Sequence, residues 1–283
     1  MRQIVFESEE LSVIKTPGRR EDVVFVTFEP LVPGERQPGR EGFGEAFFAK
    51  RGFTAYHFIS ESNLWYQYPE MPELLARIRA EIPPGARVVT YGHSMGGYAA
   101  IRCADALRAD VVLAFSPQAS LTLAWEKRWE MTRIRRMWDE RVPARDVRIY
   151  AVFDPYNLDR RHIRHLSRLA TIEPIRIYFC EHDSVFYAQE TGLLERIVLD
   201  VAADRVDVAD LEYCLWSARH EASTYRNYRQ RKSTSAFRRF RYRTLERVIE
   251  WRLRARLRRR PDPPQPGGGG EAKPADWRAE PSS

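Results

Sequence analysis

Residues 91–100 read YGHSMGGYAA and hold the pattern G-x-S-x-G around Ser94. The run before it, 86–91, is apolar and β-branched and predicts a buried strand, whereas the run after it, 98–107, is rich in alanine and predicts a helix. A serine on a sharp turn between such a strand and helix exposes its hydroxyl above the sheet, and glycines on both sides remove colliding Cβ atoms. The stretch therefore predicts a nucleophilic serine at a strand end, and the alternative is a glycine-rich loop with an incidental serine.

Apolar strand-like runs and helix-like runs alternate through the first 200 residues. The strand-like runs lie at 4–6, 11–14, 23–28, 53–59, 86–91, 111–115, 147–153 and 175–180. The helix-like runs lie at 44–50, 72–81, 98–107, 160–170 and 185–203. Continuous apolar strands joined by helices predict an α/β fold with a mostly parallel central sheet covered on both faces. Ligands of such sheets bind beyond the carboxyl ends of the strands, so we expect the chemistry there.

An acid and a histidine follow two of these strands. Asp154 comes directly after the run 147–153, and His182 comes just after the run 175–180. Because a serine hydroxyl needs a base and an imidazole base needs a carboxylate to orient it, we predict a Ser94, His182 and Asp154 triad. Asp159 is the alternative acid, although its position is typical of the N-cap of the next helix. His220 is the alternative base.

With Gly92–Gly97 on a strand–turn–helix and the chain order Ser, Asp, His on successive strands, residues 1 to about 204 resemble an α/β-hydrolase. The resemblance implies a sheet of about eight strands and a serine hydrolase, an esterase or thioesterase acting on a small-molecule ester or an acyl or sugar substrate. An acyltransferase and an inert binding module with the same fold remain alternatives. The sequence has no metal, nucleotide or prosthetic-group motif, so we expect no metal and no cofactor.

An oxyanion site in this fold uses two backbone amides. The first is that of Met95, which follows the serine. The second comes from the loop after the run 23–28, which departs from the common His-Gly pattern and begins Glu29-Pro30-Leu31. Proline has no N–H, so the predicted donor is Glu29, with Leu31 as the alternative.

Two aromatic segments are candidates for contact with substrate. Trp65, Tyr66 and Gln67 follow the run 53–59 and are a candidate pocket wall, with core packing as an equal alternative. Three tryptophans lie between the strands 111–115 and 147–153, where this fold often carries a lid. Core packing is the favoured interpretation for these three, Trp125, Trp129 and Trp138.

The positive charge is concentrated in one part of the chain. The formal charge is +7, yet residues 218–260 hold sixteen Lys or Arg against three Glu, so the remainder carries −6. We therefore predict an α/β-hydrolase domain at 1–204, an Arg-rich helical extension at 205–260 and a disordered Pro/Gly-rich tail at 261–283.

Apolar residues recur every three or four positions in 236–260, which predicts an amphipathic helix. Three roles remain open for it: docking on the hydrolase domain, binding an anionic membrane surface, or binding nucleic acid. The last has the least support, because the basic charge comes without a recognition motif.

The chain has no apolar run of about eighteen residues and no apolar signal core at its start. Its three cysteines, Cys103, Cys180 and Cys214, are widely spaced in apolar segments, which favours reduced thiols. We expect a cytoplasmic protein, with peripheral association at the inner membrane surface if the basic helix binds lipid.

Overall fold

The computed structural model describes residues 2–32, 39–129, 134–138, 141–143 and 147–259. Within them eight strands form one sheet. They are β1 (Gln3–Glu7), β2 (Leu11–Thr16), β3 (Arg20–Phe28), β4 (Phe53–Ser60), β5 (Arg87–His93), β6 (Val111–Phe115), β7 (Arg148–Phe153) and β8 (Ile172–Arg176). Their order is β1-β2-β4-β3-β5-β6-β7-β8. β2 runs antiparallel to both its neighbours and all other pairs are parallel, so the predicted mostly parallel sheet is confirmed.

Helices cover both faces of the sheet. They are α1 (Glu45–Lys50), α2 (Met71–Glu81), α3 (Met95–Arg102), α4 (Asp159–Leu166), α5 (Ser184–Glu190), α6 (Leu194–Ala202), α7 (Val208–Ser217), α8 (Ser223–Lys232) and α9 (Ala236–Arg258). The side chains of α2, α3 and α4 bury one face of the sheet, and those of α1 and α5 to α9 bury the other face. The strands supply both cores because successive side chains alternate, so Val24 and Val26 face the first cluster and Phe25 the second.

The segment after β7 differs from its predicted form in two places. The helix predicted at 185–203 is two helices, α5 and α6, separated at Gly192, whose φ of 71° is open to glycine without a steric penalty. The last strand ends at Arg176 rather than at residue 180. The apolar run continues beyond it because residues such as Phe179 are buried in an irregular loop, in which Phe179 and Glu181 have positive φ.

Residues of the predicted extension share the second hydrophobic cluster with the sheet. Leu211 and Leu215 of α7 and Ile249 and Leu253 of α9 are each 1% exposed in that cluster. One face of α9 therefore docks on the sheet-bearing part of the chain. The tail predicted at 261–283 lies outside the described residues.

Among the described helices, none combines the length and the apolar composition that crossing a bilayer requires.

Candidate active site

Ser94 lies on a sharp turn between β5 and α3. Its φ of 56° and ψ of −116° are unusual for a residue with a Cβ and mark a strained backbone. The turn is held by hydrogen bonds, from the Ser94 amide to the Phe115 carbonyl (2.8 Å) and from the Tyr98 amide to the Ser94 carbonyl (3.0 Å). A Cβ at Gly92 would lie 2.3 Å from the backbone of Gly96, so the glycine is a steric requirement of this turn.

The Ser94 hydroxyl contacts His182, and His182 contacts Asp159. Oγ of Ser94 lies 2.9 Å from Nε2 of His182, and Nδ1 of His182 lies 2.8 Å from Oδ2 of Asp159. Because a carboxylate only accepts, Nδ1 carries the proton and Nε2 is free to accept from the serine. The Asp159 side chain is fully buried and the His182 side chain is 16% exposed. The three groups thus form a directed chain of hydrogen bonds.

The prediction that Asp154 partners the histidine is wrong. The Asp154 carboxylate accepts from two backbone amides, those of Tyr156 (2.8 Å) and Glu181 (2.9 Å), and so ties its own loop to the loop of His182. Burial raises the pKa of Asp154 to about 7, against the opposing effect of these amides. Asp159, the alternative acid, is not an N-cap: the helix begins one residue earlier than predicted, with Asp159 as its first residue after Leu158.

Arg128 holds the other oxygen of Asp159. Its Nη2 lies 2.9 Å from Oδ1 of Asp159 and 2.6 Å from Oε2 of Glu126, whose side chain is fully buried. Nε2 of His162 donates to the same Glu126 (2.8 Å), and Nδ1 of His162 accepts from the Ala119 amide (3.1 Å). A network of charged groups therefore joins residues 119–128 to the first turns of α4.

These contacts shift the pKa values of both acids. Burial acts to raise the pKa of Asp159, but the hydrogen bond from His182 and the charges of His182 and Arg128 outweigh it and lower the pKa overall. Burial likewise opposes ionisation of Glu126, and its bonds from Arg128 and His162 lower its pKa to about 2. Glu126 and Arg128 were not predicted from the sequence. The available signal was a run of three charged residues, 126–128, between Trp125 and Trp129.

Of the three tryptophans between β6 and β7, Trp125 and Trp129 pack against this network. The Trp129 ring centroid is 5.1 Å from that of His182, and the Trp125 ring is 4.6 Å from that of His162. Nε1 of Trp138 donates to the Tyr66 carbonyl at 2.9 Å. The Trp129 ring therefore covers the histidine, and Trp129 and Trp138 also pack against the first hydrophobic cluster, in agreement with the core-packing interpretation.

His93, the neighbour of the serine, supports the loop of His182. Its Nε2 donates to the His182 carbonyl at 3.0 Å. Burial, reinforced by nearby His182, lowers the pKa of His93 to about 4, so the ring is neutral at pH 7. The alternative base, His220, contacts Tyr225 instead, with ring centroids 5.3 Å apart.

The structure leaves one of the predicted oxyanion donors open and excludes another. Met95 is the first residue of α3, and the first amides of a helix have no intrahelical partner. The Glu29 amide is directed to the Phe58 carbonyl at 3.4 Å, and the Glu29 side chain pairs with Arg40 at 2.7 Å. The prediction for Glu29 is therefore wrong, because its amide extends the pairing of β3 with β4. Leu31 remains as the candidate second donor.

The predicted pocket wall is part of the core. Trp65, Tyr66 and Gln67 are each at most 2% exposed. The Tyr66 hydroxyl donates to the Glu29 carbonyl at 2.9 Å, and Oε1 of Gln67 accepts from the Met137 amide at 3.1 Å. Packing is thus the correct alternative for these three residues, which fix the loops on each side of them.

A cavity of about 450 Å³ opens on the face of the sheet that α1, α5 and α6 cover. Its apolar lining includes Phe43, Phe47, Tyr91, Val185 and Phe186. Ser94, His182 and Asp159 do not line it. In the part of the chain that the structure describes, no group of three or more His, Cys, Asp or Glu side chains is arranged to hold a metal ion.

Comparisons with known proteins gave matches among solved structures alone: no family model and no curated protein matched the chain. An S-formylglutathione hydrolase from Agrobacterium tumefaciens is 12% identical, with 73% of this chain and 95% of that chain covered and a TM-score of 0.47. The capsule O-acetyltransferase of Neisseria meningitidis serogroup A is 12% identical, covering 69% and 93%, with a TM-score of 0.46. A thermophilic esterase from Thermogutta terrifontis is 14% identical, covering 69% and 86%, with a TM-score of 0.44. The order and direction of its own eight strands, with Ser94 on the turn from β5 into α3, give this chain the α/β-hydrolase fold expected from its sequence.

Proposed function

We propose that this chain is a serine hydrolase that cleaves a small-molecule ester or thioester through an acyl-enzyme. The observation that carries the proposal is the unbroken chain of hydrogen bonds from Ser94 through His182 to Asp159, at 2.9 and 2.8 Å. It lies beyond the carboxyl ends of parallel strands, where this fold class binds its ligands.

The geometry supports the following sequence of steps. Nε2 of His182 takes the hydroxyl proton as Oγ of Ser94 attacks the carbonyl carbon. The amide of Met95, with that of Leu31 as the second donor, stabilises the resulting oxyanion. His182 then gives its proton to the leaving alcohol or thiol, and water attacks the acyl-enzyme by the same route in reverse. Asp159 holds the imidazole in the required tautomer and stabilises its charged form.

Two alternatives share the fold. An acyltransferase would form the same acyl-enzyme and pass the acyl group to an acceptor hydroxyl instead of water. An inert binding module would retain the turn without the chemistry. The aligned hydrogen bonds of Ser94 and His182, and the strained φ of Ser94, favour a reacting serine over an inert one.

A fluorophosphonate probe tests the proposal, because it reacts with serines activated by a neighbouring base. We expect the protein to be labelled, and Ser94→Ala to abolish labelling and turnover of aryl esters. Ser120→Ala is the matched control and should remain labelled, since its hydroxyl bonds only to Thr122. Labelling that persists in Ser94→Ala would overturn the assignment of the nucleophile, and a protein without labelling or turnover across acyl chain lengths would be the inert module. Adding alcohol acceptors to the assay separates transfer from hydrolysis.

A further inference from the structure

Helix α9 is anchored through one of its faces. Ile249 and Leu253 lie in the second hydrophobic cluster, and Tyr242 and Leu245 pack partly against it. Arg256 forms an ion pair with the buried Glu212 of α7. The hydroxyl of Ser235 caps the first turn by accepting from the Arg238 amide. These contacts hold one face of α9 against the rest of the chain. The opposite face of the helix is therefore fixed in position and exposed to solvent.

The opposite side of α9 carries large apolar side chains that contact no core. Phe237, Phe240 and Trp251 are 72%, 70% and 70% exposed, and Val248 is 37% exposed. At about 100° per residue, positions 237, 240, 244, 248, 251 and 255 fall in one stripe roughly opposite Ile249 and Leu253. Four of the nine exposed large apolar side chains among the described residues lie on this helix. Such concentration marks an interaction surface.

Arginines border this stripe on both sides. The helix holds nine arginines and two glutamates, a formal excess of seven positive charges. By the same helical geometry Arg243 and Arg247 flank one margin of the stripe, and Arg241 and Arg252 the other. Within the described residues none of these four forms an ion pair, whereas Arg254 is paired with Glu250. We call the stripe and these four arginines the aromatic–arginine face.

We propose that the aromatic–arginine face docks the protein on an anionic lipid bilayer. The apolar centre suits the acyl region, and the arginines on both margins then lie at the depth of the lipid phosphates. Nucleic acid fits less well, because its phosphates would meet Phe and Trp at the centre of the face. A second copy fits less well too, since pairing two such faces would bring arginine margins of like charge together. The proposal does not depend on hydrolase activity.

Vesicle flotation of the full chain tests this surface. We expect binding to vesicles of phosphatidylcholine with phosphatidylglycerol, and little binding to phosphatidylcholine alone. Raising the salt from about 0.1 M to about 1 M shortens the Debye length from about 10 Å to about 3 Å and should release the protein. Equal binding to neutral and anionic vesicles, or none to either at low salt, would overturn the proposal.

Variants assign the binding to the face. Phe240→Ala with Trp251→Ala should weaken binding at least tenfold without changing Tm, whereas Ile4→Ala, which removes a 66% exposed side chain of β1, should leave it unchanged. Arg243→Gln with Arg247→Gln should weaken binding and flatten its salt dependence, and Arg160→Gln with Arg164→Gln on the exposed side of α4 is the charge-matched control.

Three further results would overturn the proposal by identifying another occupant. One is retention of double-stranded DNA, but not of vesicles, by the aromatic–arginine face. Another is a dimer by light scattering that dissociates in the Phe240→Ala, Trp251→Ala variant and does not bind vesicles. The third is loss of vesicle binding when only residues 260–283 are deleted, because the tail would then carry the affinity.

Discussion

The carboxylates Asp154 and Asp159 lie five residues apart, the first just after β7 and the second at the start of α4. Both are buried, and their pKa values differ because their hydrogen-bond donors differ in charge. Asp154 accepts from two neutral amides, which do not offset the cost of burying its charge. Asp159 accepts from His182 and from the guanidinium of Arg128, which do offset it. Asp159 is therefore ionised at neutral pH and suited to stabilise an imidazolium, whereas Asp154 is suited to hold the backbone.

Replacing each acid by asparagine separates these roles. Asp159→Asn should lower kcat for a soluble ester by about 10⁴-fold, because the amide cannot hold the required tautomer of His182. Asp154→Asn retains an acceptor for one of its two amides, so we expect kcat to fall less than about tenfold through movement of the loop. Circular dichroism of both variants controls for folding. Equal losses, or a larger loss in Asp154→Asn, would contradict the assignment of Asp159.

Arg128 is shared by two fully buried carboxylates, and its removal should be costly. Arg128→Gln leaves Glu126 and Asp159 without their common cation. We expect the free energy of unfolding to fall by about 2–3 kcal/mol, less than for a fully buried pair because the Arg128 side chain is 26% exposed. Urea unfolding measures this. Arg161→Gln, which removes an exposed arginine stacked on Trp125 at 4.2 Å, is the control and should stay within about 1 kcal/mol.

Of the three residues in this chain of hydrogen bonds, Ser94 and His182 could be predicted from the sequence and Asp159 could not. Ser94 follows from the glycine spacing, and His182 from its place after an apolar run. The choice between Asp154 and Asp159 depends on whether α4 begins at residue 159 or 160, and sequence patterns do not resolve a helix end to one residue. The contact of Arg128 with Asp159 joins positions 31 residues apart, and no periodicity reports it.

Among the elements, those with strong periodicity were found and their ends were not. The strands β3 to β7 lie where apolar runs predicted them, because each is buried on both faces. The apolar run after β7 was wrongly predicted to be a strand as far as residue 180, because Ile177 and Phe179 are buried side chains of a loop. An apolar run reports burial, and in this loop burial and strand pairing separate.

The two faces of α9 should respond differently to truncation of a side chain. Leu253→Ala empties a site that is 1% exposed and should lower the free energy of unfolding by about 2–4 kcal/mol. Trp251→Ala removes a larger side chain that is 70% exposed and should change it by less than about 0.5 kcal/mol. Urea unfolding of the two variants compares them directly. A large loss in Trp251→Ala would show that its ring is buried and would remove it from the aromatic–arginine face.

For the whole molecule, buried groups with shifted pKa values set how stability varies with pH. His57 is fully buried between Thr16 and Thr27, and burial lowers its pKa to about 4, as it does for His93. The unfolded chain binds protons at these histidines below about pH 6.5 and the folded chain does not, so both favour the folded state less as the pH falls from 6.5 to 4. Asp154 acts in the opposite direction, because its folded pKa of about 7 exceeds its unfolded value and its contribution is lost as the pH rises toward 7.

The opposite effects of the two histidines and of Asp154 predict that the free energy of unfolding is greatest near pH 6 to 7. Below it the two histidines outweigh the single carboxyl, because the pKa values of both His57 and His93 are lowered to about 4 whereas only the one pKa of Asp154 acts in the opposite direction. Above it Asp154 still loses its proton in the folded chain, so stability should decline toward pH 8. Asp154→Asn removes the contribution of the carboxyl. The free energy of unfolding of this variant should therefore rise more steeply from pH 4.5 to 6.5 and then stay level to pH 8. Urea unfolding at each pH gives both curves, and a decline above pH 7 that survives in Asp154→Asn would assign it to another group.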